Sequence, residues 1–487
     1  MPAALHGNEL SDEITPAETA RFLKRAQQQA IATGHAKIAS LTLPIASIAP
    51  WAVLAVLGNT PPPETHPTQT HRRHIYYDSP QQWALVGIDV AVSCSGEGTT
   101  RFEQAQRFIQ TWRTQFIYAE PVAKAVPAGR FFCSATFFDE TADGASGEFE
   151  PIYVFVPQVQ VMTLNEASTV TFNYLMTATT DIQAVTTHLH NQLTALNTAD
   201  SLGTAKPASH KVVAKDVANF EGAVTAALEQ MNAMKPEQKT PLHKVVLADV
   251  MDVIAPQAVD VVRSLQTLRQ NHPDCTVFSV GNHQGQSFIG ASPERLLSIN
   301  EGRLMTDALA GSASRGATPE VDTAIGQALL DSAKERYEHR VVVDFITRQL
   351  RSLGLDPQYH GAPKLLQLLH IQHLHTPISA TLNPDTISPM AILAKLHPTP
   401  AVAGVPREAA CRLIRQYETF DRGLYAAPLG WIDTDGNSEF IVGIRSALIN
   451  GDNARLYAGA GIVAASEPAK ELAEIKLKLQ TLLNALV

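Results

Sequence analysis

Between Lys244 and Gly311 the chain reads as a series of short apolar runs, each broken by turn residues: KVVLADVMDV, then FSVGNHQGQSFIGASPERLLSI, then RLMTDALAG. Runs of this length, interrupted by Gly, Asn or Ser-Pro, suit antiparallel strands, and these segments read as one meander. Helix signals surround them without alternating with them. Val217, Phe220, Val224 and Leu228 recur at helical spacing. Thr318-Pro319 opens a helix, and Ser332-Ala333-Lys334-Glu335 is a capping box. The helix it starts should run to about Leu353 and stop at Gly354. Ser466 is a good N-cap for the last helix, with Pro468 in its first turn, and Thr15-Pro16-Ala17-Glu18 is a further capping box. Abundant strands and helices without regular alternation indicate an α+β fold, not a doubly wound sheet.

The chain is long enough for a large core, with 487 residues of which 45% are hydrophobic. A net charge of −9, with no basic run, gives no support for nucleic-acid or membrane-surface binding. The cysteines Cys94, Cys133, Cys275 and Cys411 are scattered, without metal-type spacing, and fit free thiols in a reducing cytoplasm. Pro44 and Pro50 interrupt the most apolar stretch, Leu41 to Leu57, which therefore reads as a core strand and a turn and not as a membrane span. The N-terminal residues lack a signal-peptide layout, so a cytoplasmic location is expected. His66, His71 and His74 lie in a proline-rich stretch that reads as a solvated loop, since nothing there fixes a metal geometry. A polar stretch from Asn197 to Ser209 divides a variable half, residues 1–209, from a half denser in chemical signals, residues 210–487.

Several residues stand out chemically. Arg445 sits in a strand-like run, and Gly459-Ala460-Gly461 reads as a turn that can present bare N–H groups. Together they suit a carboxylate. Glu338 lies in line with Val342, Phe345, Gln349 and Leu353, which puts it near an apolar helix face, although it also reads as a surface acid beside Lys334 or Arg340. Glu471 and Glu474 share one helix flank with Lys478, either as a solvated acid–lysine set or as cation ligands. Carboxylates without a convincing Cys/His set suit a hard cation such as Mg²⁺. Lys244, at the mouth of a buried strand, is either a candidate base or a lysine whose head reaches solvent. Glu294, in Ser292-Pro293-Glu294-Arg295, reads locally as a corner acid paired with Arg295. His339, His373, His375 and His397 each have an ordinary structural reading.

In order along the chain, KVVLAD, GASPERL, ALAGSASRG, LLDSAKERYEH, LHPTPAVAG, FDRGLYAAPLGW, FIVGIRSALI, YAGAGIV and ELAEIKLKL resemble the motifs of the chorismate-utilising enzymes, most closely the isochorismate synthases. The resemblance covers about residues 210–487 and implies one large unit of two facing antiparallel sheets flanked by helices. It also implies roles. Glu338 and Glu471 would hold Mg²⁺, assisted by Glu335 and Glu474. Arg445, Tyr457 and the backbone at Gly459, Ala460 and Gly461 would hold substrate carboxylates, while Gly311, Ser312 and Lys478 line the same site. Lys244 would activate water for attack at ring carbon 2, and Glu294 would protonate the hydroxyl leaving carbon 4. Ala310 stands where aminodeoxychorismate synthases carry a nucleophilic lysine, and Ala401 where ammonia users and salicylate-forming members typically have threonine. The resemblance therefore implies a monomeric isochorismate synthase acting on chorismate, with an isochorismate–pyruvate lyase downstream and salicylate or a siderophore as the destination. Its rivals are a bifunctional salicylate synthase and a non-catalytic chorismate-fold binding protein. Asp249 departs from the family pattern and is expected to alter the charge near Lys244.

Overall fold

In the computed structural model, the described residues are 14–58, 71–81, 83–119, 129–140, 149–165, 167–198, 213–216, 219–233, 242–369, 371–382 and 387–486. The stretch 199–212, with most of the Asn197–Ser209 segment, and Val217 and His66 lie outside them. Two large sheets organise the chain. The first runs in the order of strands Val213–Asp216, Lys244–Ile254, Asn453–Ile462, Ser446–Asn450, Ser287–Ser292, Thr276–Gly281 and His74–Ser79, then on through earlier strands to Lys37–Ile45 and Phe116–Tyr118. The second includes Ile371–Thr381, Arg303–Ser314, Arg295–Asn300, Ser438–Val442, Pro428–Asp433 and Arg130–Ala135. Pairing is antiparallel except between Lys37–Ile45 and Phe116–Tyr118. Strands of the first half pair with strands of the second in both sheets, through Tyr77–Phe278 and Phe132–Trp431. The fold is α+β.

The expected meander is split between the sheets. Thr276–Gly281 and Ser287–Ser292 form a hairpin in the first, whereas Arg295–Asn300 and Arg303–Ser314 pair in the second. The break falls at Pro293, which has no N–H to continue a ladder. The chain crosses back between Val442 and Ser446. The two crossovers are bonded to each other. Ser292 Oγ donates to the Val442 carbonyl at 2.6 Å, and the Val442 N–H donates to the Glu294 carbonyl at 3.1 Å.

Helix signals translate closely, with local corrections. Thr15 and Glu18 form the expected reciprocal box ahead of Pro16–Thr33. Ser332 caps Ala333–Ser352 by accepting from the Glu335 N–H, and Gly354 follows with φ 80°. Glu335 does not reciprocate, because the Ser332 N–H is already spent on the Ala328 carbonyl. The last helix starts at Pro468, one residue later than Ser466 would cap. The Ser466 hydroxyl instead accepts from the Val463 N–H at 3.2 Å. After the Lys37–Ile45 strand the chain forms a short helix, Pro50–Val53, continued by a wider turn over Leu54–Gly58, where a simple turn is expected. His74 is not in a loop but opens a strand, and its ring is 2.8 Å from Ser279 Oγ. No helix of the described residues is long and apolar enough to cross a membrane.

The Lys244 strand is anchored on its far edge by a buried ion pair. Arg422, with its side chain 0% exposed, pairs with Glu418 and donates to the carbonyls of Val246 and Val402. Glu418 also accepts from the Ala248 N–H at 2.8 Å. A buried pair satisfied on every side specifies one arrangement, and removing one partner typically costs about 3–5 kcal/mol. The FDRG segment thus ties the Lys244 strand to the loop that carries Ala401.

Candidate active site

A cavity of about 570 Å³ opens beside the crossovers, a size suited to a small organic ligand. Helix Ala333–Ser352, packed on the second sheet, and helix Pro468–Leu486, packed on the first, wall it from two sides. Of the residues singled out in the sequence, Lys244, Glu294, Gly311, Ser312, Glu335, Glu338, Arg445, Tyr457, Gly459, Gly461, Glu471, Glu474 and Lys478 all line it, together with Ala310 and Ala401. Ala460 is the exception, because successive strand residues point to opposite faces and it faces away from Gly459 and Gly461.

Lys244 does not reach solvent. It is 5% exposed, and its Nζ lies 3.5 Å from Glu338 Oε2, itself on a side chain 9% exposed. Glu338 is therefore the core-facing carboxylate and not a surface acid. Gly461 makes room for this pair, since a Cβ there would lie 2.9 Å from Lys244 Cε. Asp249 points to the opposite face of the strand from Lys244, five residues away, so it does not add charge at the lysine head as expected.

Glu294 is not paired with Arg295, which turns to Asp307 at 3.4 Å. Buried at the crossover, the Glu294 carboxyl is pushed up to about 8, chiefly by burial and then by the Asp307 charge, with Lys244 opposing. It is protonated at neutral pH and able to donate. Glu294, at the crossover, and Lys244, in the first sheet, thus line one cavity.

Arg445 is not in a strand. It occupies the second crossover in the left-handed region, φ 50°, a conformation a non-glycine residue holds at a cost of order 1–3 kcal/mol. Its carbonyl accepts from the Ala291 N–H at 3.1 Å, and a Cβ on Gly290 would lie 2.7 Å from that oxygen. The guanidinium donates to Cys275 Sγ at 3.7 Å and lies 3.2 Å from His373 Nε2. Burial, then the arginine itself, lowers His373 to about 3, so the ring is neutral. Its other nitrogen is 2.8 Å from Ser312 Oγ. A buried guanidinium with only neutral partners is suited to an incoming anion.

Gly459, Ala460 and Gly461 lie in the Asn453–Ile462 strand, not in a turn. They face Ala248, Leu247 and Val246. Val246 and Ala248 direct their N–H groups to Ala403 and Glu418, away from this neighbour. By the alternation of antiparallel pairs, Gly459 and Gly461 therefore turn their own N–H and C=O groups outward, while Ala460 is bonded to Leu247. The neighbouring strand Ser446–Asn450 pairs only as far as Tyr457, which leaves this edge open. The Gly459 carbonyl accepts from Lys478 Nζ at 2.9 Å. Tyr457 stacks on Tyr425, with ring centroids 5.2 Å apart. Tyr425 lines the cavity without having been singled out by sequence, the motif FDRGLYAAPLGW being the available signal, and His373, given an ordinary structural reading there, lines it as well.

The carboxylates of Glu335, Glu338, Glu471 and Glu474 line the same cavity. Glu335 is raised above the usual carboxylate range, by burial first and then by Glu338. Burial also raises Glu471, with Glu474 and Glu338 adding to the effect and Ser466 opposing. Among the described residues no three His, Cys, Asp or Glu side chains are placed to hold a metal ion by themselves. The donor set nonetheless fits Mg²⁺, which needs only one or two carboxylates and completes its shell with water and substrate oxygens. Gly311 contributes space, since a Cβ there would lie 3.0 Å from Glu335 Oε2.

Comparison with known proteins identifies the family. A family described as "Chorismate binding enzyme" matches residues 22–487. The salicylate biosynthesis isochorismate synthase of Pseudomonas aeruginosa is 47% identical over 222 residues, 46% of either chain. Isochorismate synthase MenF of Bacillus subtilis is 32% identical over 435 residues, 86% of this chain and 88% of that one. The solved structure of MenF, the menaquinone-specific isochorismate synthase from Escherichia coli, shares the fold with a TM-score of 0.73 at 23% identity, over 96% of this chain and 100% of that chain. Family match, extended identity and shared fold agree, and the chain belongs to the chorismate-binding enzymes.

Proposed function

We propose that this protein is an isochorismate synthase that converts chorismate to isochorismate with Mg²⁺. The observation that carries the reading is the pairing, across one cavity, of a buried lysine with a carboxyl group protonated at neutral pH. In its neutral amine form Lys244 accepts a proton from the water that attacks ring carbon 2, and Glu294 donates one to the hydroxyl that leaves carbon 4. The ring double bonds shift between them, so one water enters as one leaves. Arg445 and the outward N–H groups of Gly459 and Gly461 hold substrate carboxylate, with Tyr457 and Tyr425 forming an apolar wall and Ser312 setting His373 beside the arginine. Glu338 and Glu471 hold Mg²⁺, with Glu335 and Glu474 assisting directly or through water. Bound there, the cation supplies Lewis-acid withdrawal of electron density from the ring through its carboxylate.

Ala401 and Ala310 favour water as the nucleophile and offer no group for cleaving the enolpyruvyl ether, so the product is isochorismate without salicylate. Salicylate or siderophore synthesis is the proposed destination, in a monomeric cytoplasmic enzyme. Incubation with chorismate and Mg²⁺ should yield an equilibrium mixture of chorismate and isochorismate by mass and absorbance, drawn to salicylate and pyruvate only on adding an isochorismate–pyruvate lyase. Release of pyruvate by this protein alone would replace the reading with a salicylate synthase, and no turnover would leave a binding protein.

A further inference from the structure

The acidic set of the cavity already contains an internal cation. Lys334 Nζ lies 3.9 Å from Glu335 Oε1 and 4.0 Å from Glu338 Oε1, and its charge also acts favourably on Glu471. It therefore serves three of the four carboxylates at once. The other lysines of the cavity are committed differently. Lys244 is buried against the second oxygen of Glu338, and Lys478 is paired with Glu474 at 2.7 Å while donating to the Gly459 carbonyl. Lys334 alone among these three combines a central place in the acidic set with a side chain 43% exposed.

Its separations exceed those of a hydrogen-bonded ion pair, about 2.7–2.9 Å. The ammonium is thus held by the summed field of the carboxylates and not by one directional bond. On its flexible stem it can move to solvent without leaving a buried charge behind. Without any cation, the carboxylates would repel one another, a contribution that adds to burial, the larger cause, in raising Glu335 and Glu471.

We infer that Lys334 is a displaceable counter-cation, which keeps the Glu335, Glu338 and Glu471 carboxylates together in the metal-free protein and gives way when a divalent cation binds, thereby setting metal affinity. The inference rests on the Mg²⁺ reading of this site. It makes Lys334 a positioning residue that competes with the metal, not one that ligates it or touches the reacting atoms. Its consequence is that removing the charge should strengthen metal binding, the opposite of what the loss of a ligand or of a structural prop would do.

The test measures metal binding directly, without chorismate, by calorimetry with Mg²⁺ and by the electron paramagnetic resonance signal of free Mn²⁺. Full-length wild type is compared with Lys334→Gln, Lys334→Met and Lys334→Arg. Loss of one partly screened charge near the site should tighten metal binding about 5- to 10-fold in the Gln and Met variants. The Arg variant, which keeps the charge, should stay within about 2-fold of wild type. The Met variant excludes a gain caused by a new amide ligand. Equal or weaker metal affinity in Gln and Met variants, with normal binding in wild type, would overturn the role of Lys334 and leave the metal reading standing. Absence of any metal binding by the wild type would overturn both.

Discussion

Arg445 and His373 approach to 3.2 Å between guanidinium and imidazole, two groups that would repel if both were charged. The imidazole is the one that stays neutral, lowered to about 3 by burial and by Arg445. Nε2 therefore accepts from the arginine, which leaves Nδ1–H to donate to Ser312 Oγ at 2.8 Å. The cavity is thus lined both by a fixed positive charge and by a set of carboxylates. A ligand that carries its own anionic groups, together with a divalent cation, complements both.

Arg445→Ala should mainly weaken substrate capture. A hydrogen bond to a charged group contributes about 1.5–3 kcal/mol, so KM should rise roughly 10- to 100-fold while kcat changes less. Steady-state kinetics across chorismate concentrations gives the split; an unchanged KM would remove the arginine from the site.

Glu294 links stability to pH. The folded protein keeps its carboxyl proton up to about 8, whereas an ordinary glutamate releases it near 4.5. Between those values the folded state binds the extra proton, so this contribution to stability is complete below about 4.5 and declines as pH rises to about 8. Glu294→Gln cannot ionise and should lose less stability than wild type across that window, by on the order of a few kcal/mol. Thermal melts in matched buffers read the difference, and parallel pH curves would sink the assignment.

The same variant should be severely impaired in turnover, by roughly 10²–10⁴-fold, the usual loss when a general acid is removed. Wild-type kcat should also fall as pH rises through about 8, where the acid form is depleted. Near-normal turnover by Glu294→Gln would assign protonation to another group.

Lys244→Ala should lower kcat by a similar roughly 10²–10⁴-fold with a smaller effect on chorismate affinity. Gly461→Ala tests the same lysine without removing it. Its new Cβ would press on Lys244 Cε at 2.9 Å and move the amine off line, so kcat should drop while the melting temperature shifts little. An active Gly461→Ala enzyme would mean that the lysine position is not critical.

Chelation with EDTA should abolish turnover and Mg²⁺ should restore it, because the acidic set is built from oxygen donors alone. Full activity in metal-free buffer would rule out the cation.

The α+β class, the caps at Thr15, Thr318 and Ser332 and the stop at Gly354 were all legible along the chain, because each rests on hydrogen bonds or periodicity within a few residues, whereas periodicity left Glu338 between an inward and a surface reading until its burial against Lys244 decided it. The ordered motifs also carried the family and most of the cavity residues. Tertiary structure alone decided how these residues meet. Local sequence paired Glu294 with Arg295, left Arg445 in a strand and turned Gly459–Gly461 into a loop. Burial at two crossovers 150 residues apart reversed the first two, and pairing with the Lys244 strand reversed the third. Long-range sheet pairing determines which edge is open, which carboxyl loses water and which lysine is trapped against Glu338, and those are consequences of proximity between segments that share no local signal.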